Sequence, residues 1–150
     1  MGDRTSVFLD VLIPQADAAK ELFEFEPDSA YQNGEQFIEF QFDEINHGTL
    51  DFLPKLREAG IAFDSSWAAG SEYGPGTTFC RFTPDGEVIQ FDRYDSELNP
   101  DMNCLMRLID NPVALRNAIL EHHKETTPLP WDNQEEYGKL YRTKQLINPQ

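Results

Sequence analysis

The strongest constraint on the fold lies near the N-terminus, in the nine residues TSVFLDVLI, Thr5 to Ile13. Apolar side chains occupy both sides of this segment, and Asp10 is its only charged residue. A strand with one wet face alternates apolar and polar residues, whereas a strand that is apolar on both faces must be covered on both. The segment therefore predicts a central strand with other parts of the chain packed above and below it.

Four further strands are predicted along the chain. Residues 36–46, QFIEFQFDEIN, alternate with a period of two, and residues 61–67 form a third strand. Residues 77–83 and 87–94 are separated by a tight turn in which Gly86 is suited to a positive φ, so they predict a hairpin.

Helices are predicted between and after these strands. Pro14 suits a first helical turn, and Pro27 ends the helix that follows it. A second helix is expected to begin at Thr49 as N-cap and to end at Gly60. Two Asn-Pro pairs and one acidic cap predict the later helices, at Asn99-Pro100, Asn111-Pro112 and Asp132.

This order of elements predicts an α+β domain. We expect a mixed sheet of about five strands with helices packed on one face, because crossover connections are right-handed. The leading architecture is ferredoxin-like with C-terminal helical additions. Residues 1–125 would form a single α+β domain, and residues 126–150 a linker and short helix packing back on it. The aromatic residues of that last segment are candidates to cover the second sheet face.

The charge is strongly negative and unevenly distributed. The formal net charge is -15, and residues 111–150 contribute none of it because they contain five acidic and five basic side chains. Such a field repels nucleic acid and anionic lipid and attracts basic surfaces. We therefore expect a basic protein partner, with no direct binding to nucleic acid or membrane.

Cysteine usage and hydropathy favour a cytoplasmic protein. Cys80 and Cys104 lie far apart without a C-x-x-C motif, which suits reduced thiols. The apolar run from Val7 to Ile13 is too short for a membrane span and has no basic n-region before it.

No motif predicts catalysis, a cofactor or a metal. The histidines and cysteines lack zinc-site spacing, and adjacent His122 and His123 would point about 100° apart on a helix. The loop AAGSEYGPG matches no phosphate-binding pattern, and Glu72 would repel a phosphate. We therefore predict no catalytic residues, no metal and no cofactor.

Rows of carboxylates are the remaining functional signal. They recur on the first helix and on the second strand, with Asp10 near the latter, at spacings comparable to those of phosphates along a nucleic-acid strand. Excess Asp and Glu for solubility is the simpler alternative. Two aromatic residues could add interface anchors. The predicted binding residues are Asp17, Glu21, Glu24, Glu39, Asp43, Trp67 and Tyr73.

Three hypotheses follow. The first is a non-enzymatic acidic protein that binds a basic, nucleic-acid-binding partner as an inhibitor or regulator, of the DNA-mimic type that mobile elements use in counter-defence. The second is a small carboxylate-dependent enzyme that uses Asp92 and Asp95 with Arg93 as anion binder; a concave pocket containing Trp67 and Tyr94 would favour it. The third makes the C-terminal segment the functional part, because Lys139, Arg142 and Lys144 lie near aromatic residues and could dock on a partner or on the protein's own acidic face. A purely structural or assembly role for the acidic domain is a further alternative.

Overall fold

A computed structural model of the protein describes residues 4–147. Two 3₁₀ turns, Ile13–Gln15 and Asp95–Leu98, supplement the strands and helices. In chain order the elements are β1 (Arg4–Leu12), α1 (Ala16–Leu22), β2 (Ser29–Asn33), β3 (Phe37–Asn46), α2 (Leu53–Glu58), β4 (Phe63–Trp67), β5 (Gly76–Phe82), β6 (Val88–Tyr94), α3 (Met102–Arg107), α4 (Pro112–Thr126) and α5 (Gln134–Ile147).

The six strands form one open sheet in the order β2-β3-β1-β4-β5-β6, and every neighbouring pair is antiparallel. The α+β class is confirmed. The expected mixed sheet was wrong, because every strand pair is antiparallel. The sheet has six strands where about five were expected, because β2 occupies a segment predicted to be a loop. All five residues of β2 are exposed at the sheet edge, so they show no alternation of apolar and polar side chains from which a strand could be recognised.

β1 lies between β3 and β4, which confirms its predicted central position. Val7, Leu9 and Val11 are fully buried on one side of it. The side chains on its other side, among them Phe8 and Asp10, are only partly buried. The two faces of the sheet are therefore covered to different extents, although the sequence of β1 is apolar on both.

One face carries the main hydrophobic core and is called here the helix-covered face. Buried phenylalanines from β3 and β4, including Phe40 and Phe42, meet residues of α1 and α2 there. Phe23 follows α1 and lies edge-on to Phe40, with ring centroids 5.0 Å apart. Tyr141 of α5 packs on Phe82 at 5.1 Å, so three helices contribute to this core.

The boundaries of α1, α2 and α3 differ from the predicted ones. α1 ends at Leu22, well before Pro27, because Phe23 adopts an extended conformation that directs its ring inward. α2 begins at Leu53 with no side-chain cap from Thr49. α3 is capped by Asp101, whose carboxylate accepts from the Asn103 amide at 2.9 Å, so the start predicted at Asn99 was wrong.

The cap predicted at Asn111 is confirmed, because its side chain accepts from the Ala114 amide at 3.2 Å. The last helix begins at Gln134, two residues after the predicted cap. The Gln134 side chain bonds both the N–H and the C=O of Phe82, at 2.7 and 2.9 Å, as a neighbouring strand would. A Cβ on Gly138 would collide with the backbone of Gly60, so α5 can approach this closely only with glycine there.

The second face is partly covered by the end of α4 and by residues 127–131. Of the C-terminal aromatic residues predicted to cover this face, Trp131 does so, whereas Tyr141 packs in the core of the helix-covered face. Arg93 donates to the Thr126 carbonyl at 2.7 Å, and Arg81 donates to the Leu129 carbonyl at 2.9 Å. Trp131 stacks on the Arg81 guanidinium and contacts Phe37. The cover therefore lies over β5 and β6 and reaches one end of β3.

Candidate functional site

An acidic surface occupies the part of the second face that lies on β1 and β3. Asp10 and Glu39 are direct cross-strand neighbours, and Asp43 lies on the same side of β3 as Glu39. The residues that alternate with them, such as Leu9 and Phe40, are buried in the core. Asp10, Glu39 and Asp43, with Asp28 beside them, are called here the acidic sheet face.

Asp10 is the most perturbed group of the acidic sheet face. Burial is the largest cause that raises the pKa of Asp10, and its hydrogen bond with Glu39 acts in the same direction. The like charges of Glu39 and Asp64 also contribute, and together these causes bring the pKa to about 7. Asp10 therefore changes its charge near neutral pH, and a nearby positive charge would favour its ionised form.

Glu39 is held by a neighbour from the sheet edge. Tyr31 of β2 lies opposite Glu39 and donates its hydroxyl hydrogen bond to the Glu39 carboxylate. This bond is the main cause of a raised pKa of Tyr31, so the hydroxyl stays protonated. The sequence predicted a loop here, and nothing in the pattern of β2 indicated that Tyr31 would join the site.

Asp43 is oriented by neutral donors. Ser6 and the side chain of Gln41 each donate to its Oδ1 at 2.9 Å, and its backbone N–H donates to Asp28 Oδ2 at 2.7 Å. The bond from Gln41 and then that from Ser6 lower the pKa of Asp43, so this carboxylate stays charged. Asp43 is therefore a fixed negative charge on the surface.

Basic side chains do not neutralise the acidic sheet face within the described chain. Five ion pairs join acidic and basic side chains among residues 4–147, and none includes a member of this face. Its hydrogen-bond donors are hydroxyls, amides and backbone N–H groups. Its negative charge is thus available to an external cation.

Asp64 marks the boundary with the covered part of the second face. It is the other cross-strand neighbour of Asp10, and Arg81 Nη1 lies 2.8 Å from its Oδ1. Burial raises the pKa of Asp64, and Arg81 opposes that shift. Arg81 also donates to the Phe63 carbonyl at 3.1 Å, so this guanidinium, 2% exposed, serves the fold.

The predicted residues of the first helix lie elsewhere. Asp17 and Glu21 are exposed on α1, on the helix-covered side of the sheet. Glu24 lies beyond the end of α1 and pairs with Lys55 at 3.2 Å, so the three do not form one helical row. The structure therefore brings Glu39 and Asp43 together and places Asp17, Glu21 and Glu24 on the opposite side.

The two predicted aromatic anchors share a third location. Trp67 and Tyr73 line a cavity of about 290 Å³ whose other lining residues include Asp92 and Tyr94. Trp67 is partly buried there, with its indole N–H donating to the Gly74 carbonyl at 3.0 Å. The seven predicted residues thus fall into three groups.

This cavity bears on the predicted enzyme site. Asp92 accepts a 2.6 Å hydrogen bond from Thr78, and His47 lines the same cavity. Asp95 does not line it, and Arg93 points to the second face, where it lies over the Phe79 ring. The three residues predicted to act together are therefore not brought together.

Within residues 4–147, no three His, Cys, Asp or Glu side chains are arranged to hold a metal ion. Cys80 is buried and Cys104 exposed, and both are free thiols. The helices of the same residues include none with the length and apolar character that a membrane span requires.

Comparisons with known proteins add no family assignment. No protein-family model matches the chain, and no curated protein or solved structure is detectably similar to it.

Proposed function

We propose that the protein is a non-enzymatic interaction protein whose acidic sheet face binds a basic partner that itself binds nucleic acid. In this role it would act as an inhibitor or regulator. Its carboxylates would occupy the positions at which the partner binds the phosphates of a nucleic acid. The observation that supports the proposal is a row of unneutralised carboxylates, Asp10, Glu39 and Asp43, on a sheet face that the chain's own helices leave open.

The geometry of a strand suits this role. Residues on one side of a strand repeat at roughly 6.8 Å, and neighbouring strands lie about 4.8 Å apart, so carboxylates on β1 and β3 form a regular two-dimensional array. The hydrogen bonds to Asp43 and Glu39 fix the array before binding, which lowers the entropic cost of association. A Lys- or Arg-rich groove is complementary to such an array.

We also propose that the sheet and its helices are built on a ferredoxin-like unit. The elements from β1 to β4 follow the order strand, helix, strand, strand, helix, strand, which is that of a ferredoxin-like domain. We propose that β5 and β6 extend this unit at the β4 edge and that the later helices are additions. Free thiols at Cys80 and Cys104 support a cytoplasmic location.

The test is affinity capture from the native host with two matched double variants. Glu39→Gln with Asp43→Asn removes two charges from the acidic sheet face, and Glu21→Gln with Asp17→Asn removes the same two from α1 on the opposite side. We expect the first pair to lose a basic, nucleic-acid-binding protein that the wild type and the second pair both retain. Mass spectrometry identifies the captured protein.

Ionic strength provides the second arm of this test. Raising salt should release the partner steeply, because the contacts are between exposed charges. Capture that is unchanged by salt, or equal loss with both double variants, would rule out the acidic sheet face as the binding surface.

The cavity near Trp67 favours small-molecule binding as a second candidate function, because it gathers Asp92, His47 and two tyrosines. Its volume of about 290 Å³ lies at the lower limit for ligand sites. A fragment screen by NMR would test whether this cavity binds small molecules. Saturable shifts at Thr78 and Tyr94 that disappear in Asp92→Asn and persist in Asp95→Asn would support this candidate.

A further inference from the structure

The segment containing α3 and α4, residues 99–125, has no buried core of its own. It contains nine large apolar side chains, yet none of its residues is buried. Leu105 and Leu115 are only partly covered where the two helices meet. A segment with this composition normally buries such residues against another element.

The most exposed of these side chains follow one another along α3 and into α4. Met102 and Met106 are 63% and 56% exposed, and their spacing of four residues puts them on one side of α3. Ile109, 54% exposed, lies in the turn between α3 and α4. Val113, at the start of α4, is 71% exposed. These four residues are called here the apolar stripe. Contiguous exposed apolar surface of this kind marks an interaction site.

The attachment of the segment to the sheet leaves the apolar stripe uncovered. Its base is held by the bond from Arg93 to the Thr126 carbonyl and by a contact of 3.2 Å between His122 Nε2 and the Leu98 carbonyl. Both contacts lie on the side of α4 that includes Thr126, which is buried. No described part of the chain covers the stripe itself.

The charge of residues 99–125 indicates which kind of partner the apolar stripe would bind. Residues 99–125 have four acidic and three basic side chains, a formal net charge of -1, whereas the whole chain has -15. A basic partner is attracted little by a nearly neutral surface, and an amphipathic membrane helix would be rich in Lys and Arg. Two copies of a strongly acidic chain repel each other least where each is nearly neutral.

We propose that the apolar stripe is a homodimer interface at which two copies of α3 and α4 pack as a four-helix unit. A two-fold axis would place the same stripe of each copy against the other, as an isologous interface requires. Met102, Met106, Ile109 and Val113 would supply its apolar centre, in the manner of a helix bundle. The acidic sheet face is a separate surface, so the dimer does not depend on the function proposed above.

The test is sedimentation velocity of the full chain over a range of concentrations. The wild type should reach twice the 17.2 kDa chain mass. Met106→Glu and Val113→Glu, each made alone, should raise the dimer dissociation constant about tenfold or more. Circular dichroism should be unchanged, because both side chains are exposed in the monomer.

Leu146→Glu is the matched control, since Leu146 on α5 is 75% exposed and lies outside the apolar stripe. It should dimerise like the wild type. Chain-mass behaviour of the wild type up to millimolar concentration would overturn the proposal. The proposal would also be overturned if the dimer persisted in both Met106→Glu and Val113→Glu. It would be overturned as well if Leu146→Glu weakened the dimer as much as these variants do.

Salt provides a distinction from the binding of a basic partner. Raised ionic strength should strengthen the dimer by screening repulsion between like-charged copies, whereas it should release a basic partner. A dimer that dissociates as salt is raised would contradict the apolar interface.

Cys104 offers a local readout on α3. It is exposed, whereas burial raises the pKa of Cys80 to about 12, so a thiol-directed spin label will modify Cys104 selectively. We expect an intermolecular spin–spin distance between labels in the wild type and its loss in Val113→Glu. Absence of that distance in a sample that sediments as a dimer would place the interface elsewhere.

Discussion

The two halves of the second sheet face differ in charge and in what covers them. On β5 and β6 the charged side chains of this face are the cations Arg81 and Arg93, and each donates to a carbonyl of the segment that crosses over them. Asp10, Glu39 and Asp43 on β1 and β3 are instead carboxylates, which cannot donate to a backbone carbonyl when ionised, and the helices of residues 4–147 leave them at least partly uncovered. Guanidinium groups thus attach the chain to its own sheet, whereas the carboxylates leave their half open to a partner.

The largest expected effect on stability is that of Arg81→Ala, which removes the contacts that hold residues 127–131 over β5. This change leaves Asp64 as a partly buried charge without its ion pair and removes donors from the Phe63 and Leu129 carbonyls. We expect the free energy of unfolding to fall by about 3–5 kcal/mol, measured by chemical denaturation. Arg116→Ala, on the exposed surface of α4, should change it by less than about 0.5 kcal/mol. Equal effects would show that the contacts of Arg81 are not what holds residues 127–131.

Arg93→Ala should lower the free energy of unfolding by an intermediate amount. The side chain makes one charged hydrogen bond to Thr126 and lies over the Phe79 ring at 4.7 Å. Its loss should cost about 1.5–3 kcal/mol and increase hydrogen exchange at the end of α4. Arg107→Ala is the control on α3. Unchanged exchange near Thr126 would mean that the end of α4 is held by other contacts.

The smallest expected effect on stability is that of Asp10→Asn on the acidic sheet face. This substitution should stabilise the protein, whereas the two arginine substitutions should destabilise it. Because the folded-state pKa of Asp10 is raised from 3.8 to about 7, folding is disfavoured progressively as pH rises between those values. Asp10→Asn removes this cost. Solvent reaches part of the carboxyl group and reduces the gain, so we expect Tm to rise by about 2–6 °C at pH 8.

Below the ordinary pKa of an aspartate the gain from Asp10→Asn should disappear, because the wild-type carboxyl group is then protonated in both states. Asp17→Asn, on the exposed surface of α1, serves as the control for the same substitution outside the acidic sheet face. Thermal unfolding followed by circular dichroism measures both. A gain for Asp10→Asn that is independent of pH would contradict the raised pKa.

Much of the strand pattern was predictable because it is local. Alternation in residues 36–46 placed Glu39 and Asp43 on one side. Asp10, the only charged residue of the predicted strand from Thr5 to Ile13, was expected near them. β2 was missed because an exposed edge strand needs no apolar residues. The helical row of acids was overestimated because Phe23 leaves the helix to enter the core, which residue spacing alone does not show.

The sequence by itself determined which side chains share a face of the sheet, since alternation is a property of each strand. Only the tertiary structure decided which part of that face remains open. That outcome depends on Arg81 and Arg93 meeting carbonyls 48 and 33 residues away, and on Trp131 reaching Phe37. Contacts at such separations arise from the packing of the whole chain, so no local pattern around Asp10 or Glu39 could indicate that they would stay partly accessible to a partner.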